Sequence, residues 1–260
     1  MATQEIKHID GHEAFGKALT VSRETLGRFE TYAALLKRWQ KTINLVAPST
    51  LDDIWHRHFA DSAQLWDIGR TSPSPREGRG EGRGEGQPLA PEPVAAPHPD
   101  PLPIPRAREW GEGTQHWTDF GSGAGFPGLV LAILGAETGA TRHTLIESDS
   151  RKAAFLREVA RETGVAVDIL CARIESPETV AKVGRVDCVT ARALAPLSRL
   201  VPLLAPYFAS PTVGLFLKGR EVAAEIEETA RTWEFASRSV ASVTDKSGSI
   251  LVVHALRQKR

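Results

Sequence analysis

Residues 117–128 read WTDFGSGAGFPG, and this stretch decides the fold of the chain. A short apolar strand runs into three glycines at alternate positions, Gly121, Gly123 and Gly125, and Pro127 follows where a helix is expected to begin. Glycine tolerates positive φ and carries no side chain, so the backbone N–H groups of such a loop can approach a nucleotide-like ligand. The stretch therefore predicts a cofactor-binding loop between a strand and a helix.

Length and charge limit the classes of protein that fit this chain. With 260 residues, of which 41% are hydrophobic, the chain can bury one sizeable core. Its 32 basic residues cancel its 32 acidic residues, so any nucleic-acid surface has to be a local patch.

Cysteine usage and hydropathy favour an ordinary cytoplasmic protein. Cys171 and Cys188 lie in apolar runs without metal-ligand spacing, so both are expected as reduced core residues, and no metal site is expected. No apolar stretch approaches the ~20 residues of a membrane span, and the N-terminal residues are too polar for a signal peptide.

The chain divides by composition into three regions, and residues 1–69 are predicted to form a helical extension. Ser22 is expected to begin a helix, because apolar residues follow it at the three-to-four spacing of one helix face. These residues are Leu26, Phe29, Ala33, Leu36 and Trp39. Ser49 is expected to cap a second helix, with Asp52 as the acid of a capping box.

The second region, residues 70–113, differs in kind from the rest. Ten of the seventeen prolines lie between Pro73 and Pro105, and residues 76–86 read REGRGEGRGEG. Such a segment can bury almost nothing, so its ordering entropy is not offset. It is predicted to be a disordered insertion.

The third region, residues 114–260, alternates between strand-like and helix-like patterns. Strands are predicted at 115–120, 142–146, 166–170, 186–190, 213–217, about 234–243 and 250–256, with helices at 126–134, 151–163, 197–208 and 222–233. This alternation is typical of an α/β, Rossmann-like domain whose mostly parallel sheet is covered on both faces. The last two strands lack a helix between them and are expected to form an antiparallel hairpin at one edge.

An acidic residue at the end of the second predicted strand adds to the cofactor prediction. Glu147 could accept hydrogen bonds from both ribose hydroxyls of a nucleoside ligand. Residues 123–128 also satisfy the dinucleotide pattern G-x-G-x-x-G, so an NAD(P)-dependent oxidoreductase is one alternative. Pro127 at the helix start and the terminal hairpin argue against it, since that hairpin is common in methyltransferases that use S-adenosylmethionine.

Several motifs together resemble one family. In order and spacing the chain is similar to the small-subunit rRNA guanine-N7 methyltransferases called RsmG (GidB), everywhere except in the insertion. The motifs are NLVAP at 44–48, RHFADS at 57–62, DFGSGAGFPG at 119–128, IESDSRKAAFLR at 146–157, TARAL at 190–194 and LKG at 217–219. The resemblance implies a class I methyltransferase fold with an N-terminal helical extension. It also implies methyl transfer from S-adenosylmethionine to N7 of a guanosine in the decoding-region loop of 16S rRNA.

The resemblance also implies which residues bind the cofactor. By matching motif, Gly121 and Phe126 are expected to contact it in the first loop. Ile174 and Glu175, after the third strand, are expected to flank the adenine. Arg192, after the fourth strand, is expected to be a further cofactor-site residue.

The implied chemistry requires no catalytic acid or base. Guanine N7 already offers a lone pair, so no proton has to be removed, and alignment of the reacting atoms supplies the catalysis. No catalytic residue is therefore expected.

Substrate contacts and partners are the least specific predictions. Arg57, His58 and Lys218 are candidate RNA contacts, although Arg57 also fits a solvated helix face and His58 a hydrogen-bonded core position. The expected partner is 16S rRNA, free or within the small subunit, with no membrane partner and a monomeric protein. A methyltransferase acting on another RNA or a small molecule, and a non-enzymatic RNA-binding assembly factor, remain alternatives.

Overall fold

A computed structural model of the chain describes residues 8–71, 114–209 and 211–260. In these residues seven strands form one sheet in the order β3-β2-β1-β4-β5-β7-β6. The strands are β1 (Gln115–Phe120), β2 (Thr141–Glu147), β3 (Asp168–Cys171), β4 (Cys188–Arg192), β5 (Val213–Lys218), β6 (Trp233–Ala241) and β7 (Ser249–Gln258). Strands β1 to β5 pair in parallel, whereas β7 runs antiparallel to both β5 and β6. The predicted mostly parallel sheet with an antiparallel edge is confirmed.

The strand order places a crevice directly above β1. Successive strands β1, β2 and β3 extend the sheet to one side, and β4 and β5 extend it to the other. The strand order therefore reverses beside β1, and ligands of such sheets bind outside the carboxyl ends of the strands at this point. The glycine loop follows β1 and so lies at the crevice.

Helices cover both faces of the sheet. They are α1 (His12–Leu19), α2 (Arg23–Trp39), α3 (Asp61–Ala63), α4 (Leu65–Arg70), α5 (Gly128–Gly135), α6 (Ser150–Thr163), α7 (Pro177–Val183), α8 (Leu197–Leu204) and α9 (Val222–Thr229). Ser22 caps α2 as predicted, and its side chain accepts a hydrogen bond from the Thr25 N–H at 3.1 Å.

Helical segments follow Ser49, but they begin later than predicted and Ser49 does not cap them. Ser49 lies inside a short 3-10 turn, Pro48–Thr50, and the chain then winds as a π-helix over Trp55–Ala60 before α3 begins. The capping-box geometry needs an α-helical first turn, which this segment does not form. Single π turns are uncommon and often mark functional sites.

The N-terminal helices share a core with the sheet. Phe15, Phe29 and Phe59 pack in one apolar cluster with Leu129 of α5 and Phe155 of α6, and all five side chains are fully buried. A second cluster on the other face includes Phe120, Leu200, Tyr207 and Phe216. Residues 8–71 therefore form a layer over the face of the sheet that α5 and α6 cover.

Three other sequence predictions, on the cysteines, on membrane spans and on the insertion, differ in how the structure bears on them. Cys188 is buried as expected, but the prediction for Cys171 is wrong: it is exposed, because it ends β3 at the edge of the sheet. Within the described ranges, no helix is long and apolar enough to cross a membrane. The predicted disordered insertion lies, from residue 72 to residue 113, outside the described residues.

Candidate active site

The glycine loop connects β1 to α5 through three left-handed residues. Gly121, Gly123 and Gly125 have φ values of 67°, 57° and 91°, a region that residues with a Cβ rarely occupy. A Cβ at Gly123 would meet nothing closer than 3.8 Å, so the loop is open to a ligand there. A Cβ at Gly125 would lie 2.5 Å from the Tyr32 hydroxyl, so this glycine is required by packing.

Glu147 ends β2 beside this loop, and its carboxylate is buried. One oxygen accepts the Gly123 N–H at 2.7 Å, and the other accepts the Asp149 N–H at 2.8 Å. An ionised carboxylate has about four acceptor positions, so two remain for ligand hydroxyls. Glu147 therefore braces the loop, a role that the strand-end argument missed, and can still bind a ribose.

Asp119 on β1 lies beneath the loop. The register of β1 and β4 sets it beside Thr190, whose hydroxyl donates to one carboxylate oxygen at 2.8 Å. The other oxygen is buried, with no hydrogen-bond partner among the described residues. Burial raises the pKa of the Asp119 carboxyl to about 6, because the protein interior disfavours the charged form.

An aromatic stack joins the N-terminal layer to the loop. The Phe126 ring lies between two nearly parallel rings, that of Tyr32 with centroids 5.4 Å apart and that of His58 at 4.8 Å. The Tyr32 hydroxyl donates to the carbonyl of Ala124 within the loop. Phe126 is thus a buried packing residue, and the stack fixes the loop to α2 and to the π-helix.

Arg192 is the last residue of β4 and joins the same group of side chains. Its Nη2 lies 2.8 Å from His58 Nδ1, and its Nη1 lies 3.2 Å from Asp61 Oδ2. The guanidinium carbon is 5.8 Å from the Phe126 ring centroid. The second ring nitrogen of His58 is 2.8 Å from the hydroxyl of Thr50. Burial, reinforced by the nearby Arg192 charge, lowers the pKa of His58 to about 3, so the imidazole is neutral.

The remaining predicted cofactor residues lie after β3. Strand β3 pairs with β2 through Glu147 and Cys171, so the loop that follows lies at the same edge as the glycine loop. Ile174 is buried, and its carbonyl accepts the Tyr207 hydroxyl at 2.6 Å. Glu175 is exposed. This arrangement offers an apolar side chain and a carboxylate next to each other.

The predicted substrate residues divide into two kinds. Arg57 is exposed on the π-helix, whereas His58 is buried with both ring nitrogens engaged. Lys218 lines a cavity of about 550 Å³ at the carboxyl ends of β4 and β5. Its ammonium group is already engaged by Glu225 Oε2 at 2.7 Å and by the Ala195 carbonyl at 3.1 Å.

Sequence reasoning missed Tyr32 and Asp61 as parts of the site. Tyr32 lies 92 residues before its loop partner, and no local pattern records such a contact. One signal was present, since a tyrosine on a buried helix face needs a partner for its hydroxyl. Asp61 gave a weaker signal, as the one acidic residue of the π-helix and α3.

The fold and the site together define a class of protein. A glycine loop after β1, a buried acid at the end of β2 and an antiparallel β7 between β5 and β6 are the features of a class I methyltransferase. The residues present fit S-adenosylmethionine, since the open side of Gly123 leaves room for it. Glu147 keeps two acceptor positions of the kind that ribose hydroxyls would use, and Ile174 is a buried apolar side chain in the loop after β3.

Comparisons with known proteins identify the family. The model of GidB, rRNA small subunit methyltransferase G, matches residues 25–74 and 106–252, and the chain belongs to this family. Ribosomal RNA small subunit methyltransferase G of Parvibaculum lavamentivorans is 40% identical, over 94% of this chain and 89% of its own length. The protein of the same name from Rhodospirillum centenum is 44% identical, over 91% of this chain and 87% of its own.

One solved structure shows the same fold at low identity. A crystal structure of a mutant of MtNAS superposes with a TM-score of 0.51 and 14% identity, over 94% of this chain and 81% of that chain. Family membership makes the chain an S-adenosylmethionine-dependent methyltransferase and rejects the oxidoreductase alternative.

Proposed function

We propose that the protein transfers a methyl group from S-adenosylmethionine to N7 of a guanosine in the decoding-region loop of 16S rRNA. The observation that carries this proposal is membership of a family whose relatives are named as small-subunit rRNA methyltransferases. The site has the chemistry that such a transfer needs.

No base is required at this site, and two ionisable side chains close to the loop, His58 and Asp119, are buried. His58 has both ring nitrogens engaged, and Asp119 is buried beneath the loop. Guanine N7 attacks with its own lone pair: the N7–carbon bond forms, the sulfur–carbon bond breaks, and its electron pair stays on sulfur. Positive charge therefore moves from sulfur to the base, and no proton changes place.

The chain's own residues bind and orient the reactants. S-adenosylmethionine supplies the methyl group as an electrophile when it is bound. Gly121, Gly123 and Glu147 hold the cofactor beside β1 and β2, while Arg192 lies at the far side of the loop. The stack around Phe126 keeps the loop in one arrangement, which is the alignment that this reaction depends on.

The exposure of Arg57 and the net charge of the chain bear on how the RNA substrate is bound. Arg57 is exposed on the π-helix, next in sequence to His58, and contacts an RNA phosphate. With no net charge on the chain, binding relies on shape as well as on electrostatics, which favours an assembled small subunit over free rRNA. Equal methylation of protein-free rRNA and of intact subunits would contradict this preference.

The proposed domain division assigns residues 1–69 to a helical extension, 70–113 to an insertion and 114–260 to the methyltransferase domain. Its support is the family match, which stops at residue 74 and resumes at residue 106. The protein acts in the cytoplasm as a monomer.

Radiolabelled methyl transfer to small subunits that lack this modification tests the proposed function. The expected result is label in N7-methylguanosine at one nucleotide of 16S rRNA, located by mass spectrometry. Cofactor binding in calorimetry without transfer to any rRNA would instead direct attention to another RNA or to a small molecule.

A further inference from the structure

The loop after β4, residues 193–196, lies directly against the cofactor loop. A Cβ at Gly121 would lie 2.5 Å from Leu194 Cδ1, so the Leu194 side chain already covers that glycine. Arg192, the residue before this loop, lies over the Phe126 ring. Whatever holds residues 193–196 in place therefore also shapes the cofactor loop.

The backbone of the loop after β4 is strained at Ala193. Its φ is 51°, in the left-handed region that residues with a Cβ rarely occupy. Such a conformation persists only where surrounding contacts hold it, and it is typical of active sites and ligand-binding sites. The loop therefore needs a restraint from outside its own sequence.

Lys218 and Glu225 provide that restraint, and we call this pair the clamp. The Lys218 ammonium group donates to the Ala195 carbonyl at 3.1 Å and to Glu225 Oε2 at 2.7 Å. Glu225 Oε2 also accepts the Leu197 N–H at 2.6 Å, where α8 begins. The residue before α8 is Pro196, whose side chain cannot accept a hydrogen bond, so Glu225 on α9 caps this helix instead.

The clamp is shielded from solvent. The side chain of Lys218 is 8% exposed, and that of Glu225 is 21% exposed. An ion pair out of water is costly unless both charges are hydrogen-bonded, and here both are. A phosphate contact needs an ammonium group that can reach the RNA, whereas that of Lys218 is engaged inside the protein.

We propose that Lys218 and Glu225 are positioning residues, which act on cofactor binding by holding residues 193–197 against the glycine loop. Lys218 then contacts neither the RNA nor the cofactor, and this role replaces its interpretation as an RNA contact. The path runs from the Lys218 ammonium group through the Ala195 carbonyl to Leu194, and from there to Gly121. The inference concerns cofactor binding, which follows from family membership, and does not depend on which RNA is methylated.

Removing the ammonium group tests this assignment. Lys218→Met keeps an apolar side chain of similar length in the same place. Lys182→Met is the matched control, because Lys182 is exposed on α7 and lies outside the clamp. A second variant combines Lys218→Met with Glu225→Gln, so that neither charge is left unpaired and the Leu197 N–H keeps an acceptor. All three proteins are compared with wild type by circular dichroism and thermal melting before assay.

The expected result is weaker cofactor binding with unchanged RNA binding. Both Lys218→Met proteins bind S-adenosylmethionine about fivefold to tenfold more weakly in calorimetry, which is the effect of one lost charge-assisted hydrogen bond. Their KM for small subunits at saturating cofactor stays within about twofold of wild type. Lys182→Met changes neither constant. The reverse pattern, an unchanged cofactor affinity with a raised KM for the subunit, would overturn the assignment and make Lys218 an RNA contact.

Ala193→Gly provides a readout that a general loss of stability would not give. Glycine adopts positive φ without strain, so the loop depends less on the clamp when glycine replaces Ala193. Added to Lys218→Met, this substitution should restore most of the lost cofactor affinity. A loss of affinity that Ala193→Gly leaves unchanged would overturn the path through the loop after β4.

The calorimetric comparison also separates this inference from the proposed function, because cofactor binding needs no RNA. A wild-type protein that binds the cofactor but methylates no rRNA refutes the proposed function alone. An active wild type together with a Lys218→Met protein of wild-type cofactor affinity refutes only the clamp.

Discussion

Two glycines of the cofactor loop provide a matched pair for testing how the loop is held. Gly123 and Gly125 both have positive φ, but only at Gly125 would a Cβ clash, 2.5 Å from the Tyr32 hydroxyl and 2.6 Å from Leu129 Cδ1. Gly123→Ala adds only the left-handed strain of about 1–2 kcal/mol. Gly125→Ala adds that strain and an overpacking cost of about 1–3 kcal/mol.

The two variants should therefore fail in different ways. Gly125→Ala displaces Tyr32, loosens the stack on Phe126 and melts several degrees below Gly123→Ala, since each kcal/mol lowers Tm by roughly 2–4 °C in a chain of this size. Gly123→Ala melts below wild type by only the few degrees that its left-handed strain costs, and its methyl group projects into the open side of the loop and weakens cofactor binding.

Urea unfolding at pH 7 and calorimetry with S-adenosylmethionine measure the two effects separately. Equal losses of stability in Gly123→Ala and Gly125→Ala would refute the reasoning, because the clash with Tyr32 would then add nothing to the free-energy cost of Gly125→Ala. Unchanged cofactor affinity in Gly123→Ala would refute the placement of the cofactor beside this residue.

Three further predictions concern buried ionisable side chains. Burial raises the pKa of Asp119 from 3.8 to about 6, so the folded state loses stability as the pH rises from about 4 to 6. Asp119→Asn should thus gain up to about 3 kcal/mol relative to wild type between pH 4 and pH 8 in urea unfolding; a pH-independent difference would contradict this. His143 lies on β2 and is buried, which lowers its pKa from 6.5 to about 3. Below pH 6.5 the unfolded state therefore binds the extra proton, and stability falls by about 1.4 kcal/mol per pH unit as the pH decreases. His143→Gln should remove that contribution from the slope, and an unchanged slope would show that another group titrates. Asp61→Asn removes the charge of a largely buried partner of Arg192 and should lower the free energy of unfolding by about 2 kcal/mol. The control Asp67→Asn loses an exposed ion pair with Arg70 and should lower it by under about 0.5 kcal/mol. Equal losses in the two variants would contradict this difference.

Sequence patterns predicted the sheet well because its strands are short apolar runs bounded by glycine or polar residues. Strand β1 was predicted with its observed ends, and the antiparallel hairpin followed from the missing helix between the last two strands. Helix α7 was missed, although Ser176 and Pro177 form an ordinary helix start, since its seven residues carry little apolar periodicity.

The site was predictable only where its residues follow strand ends. The glycine loop and Glu147 could be placed because the carboxyl ends of neighbouring parallel strands meet at one edge. The π-helix and the contacts of Tyr32, His58 and Asp61 could not be predicted from the sequence. Their partners lie 92 to 183 residues away, and only the folded chain brings them together.

The hydrogen bond from the Thr244 hydroxyl to Asp61 Oδ1 has a consequence for how the chain folds. It joins two residues that are 183 positions apart, so closing the chain between them costs conformational entropy that no local contact offsets. We therefore expect the turn after β6 to join the N-terminal layer only after the strands of the sheet have paired.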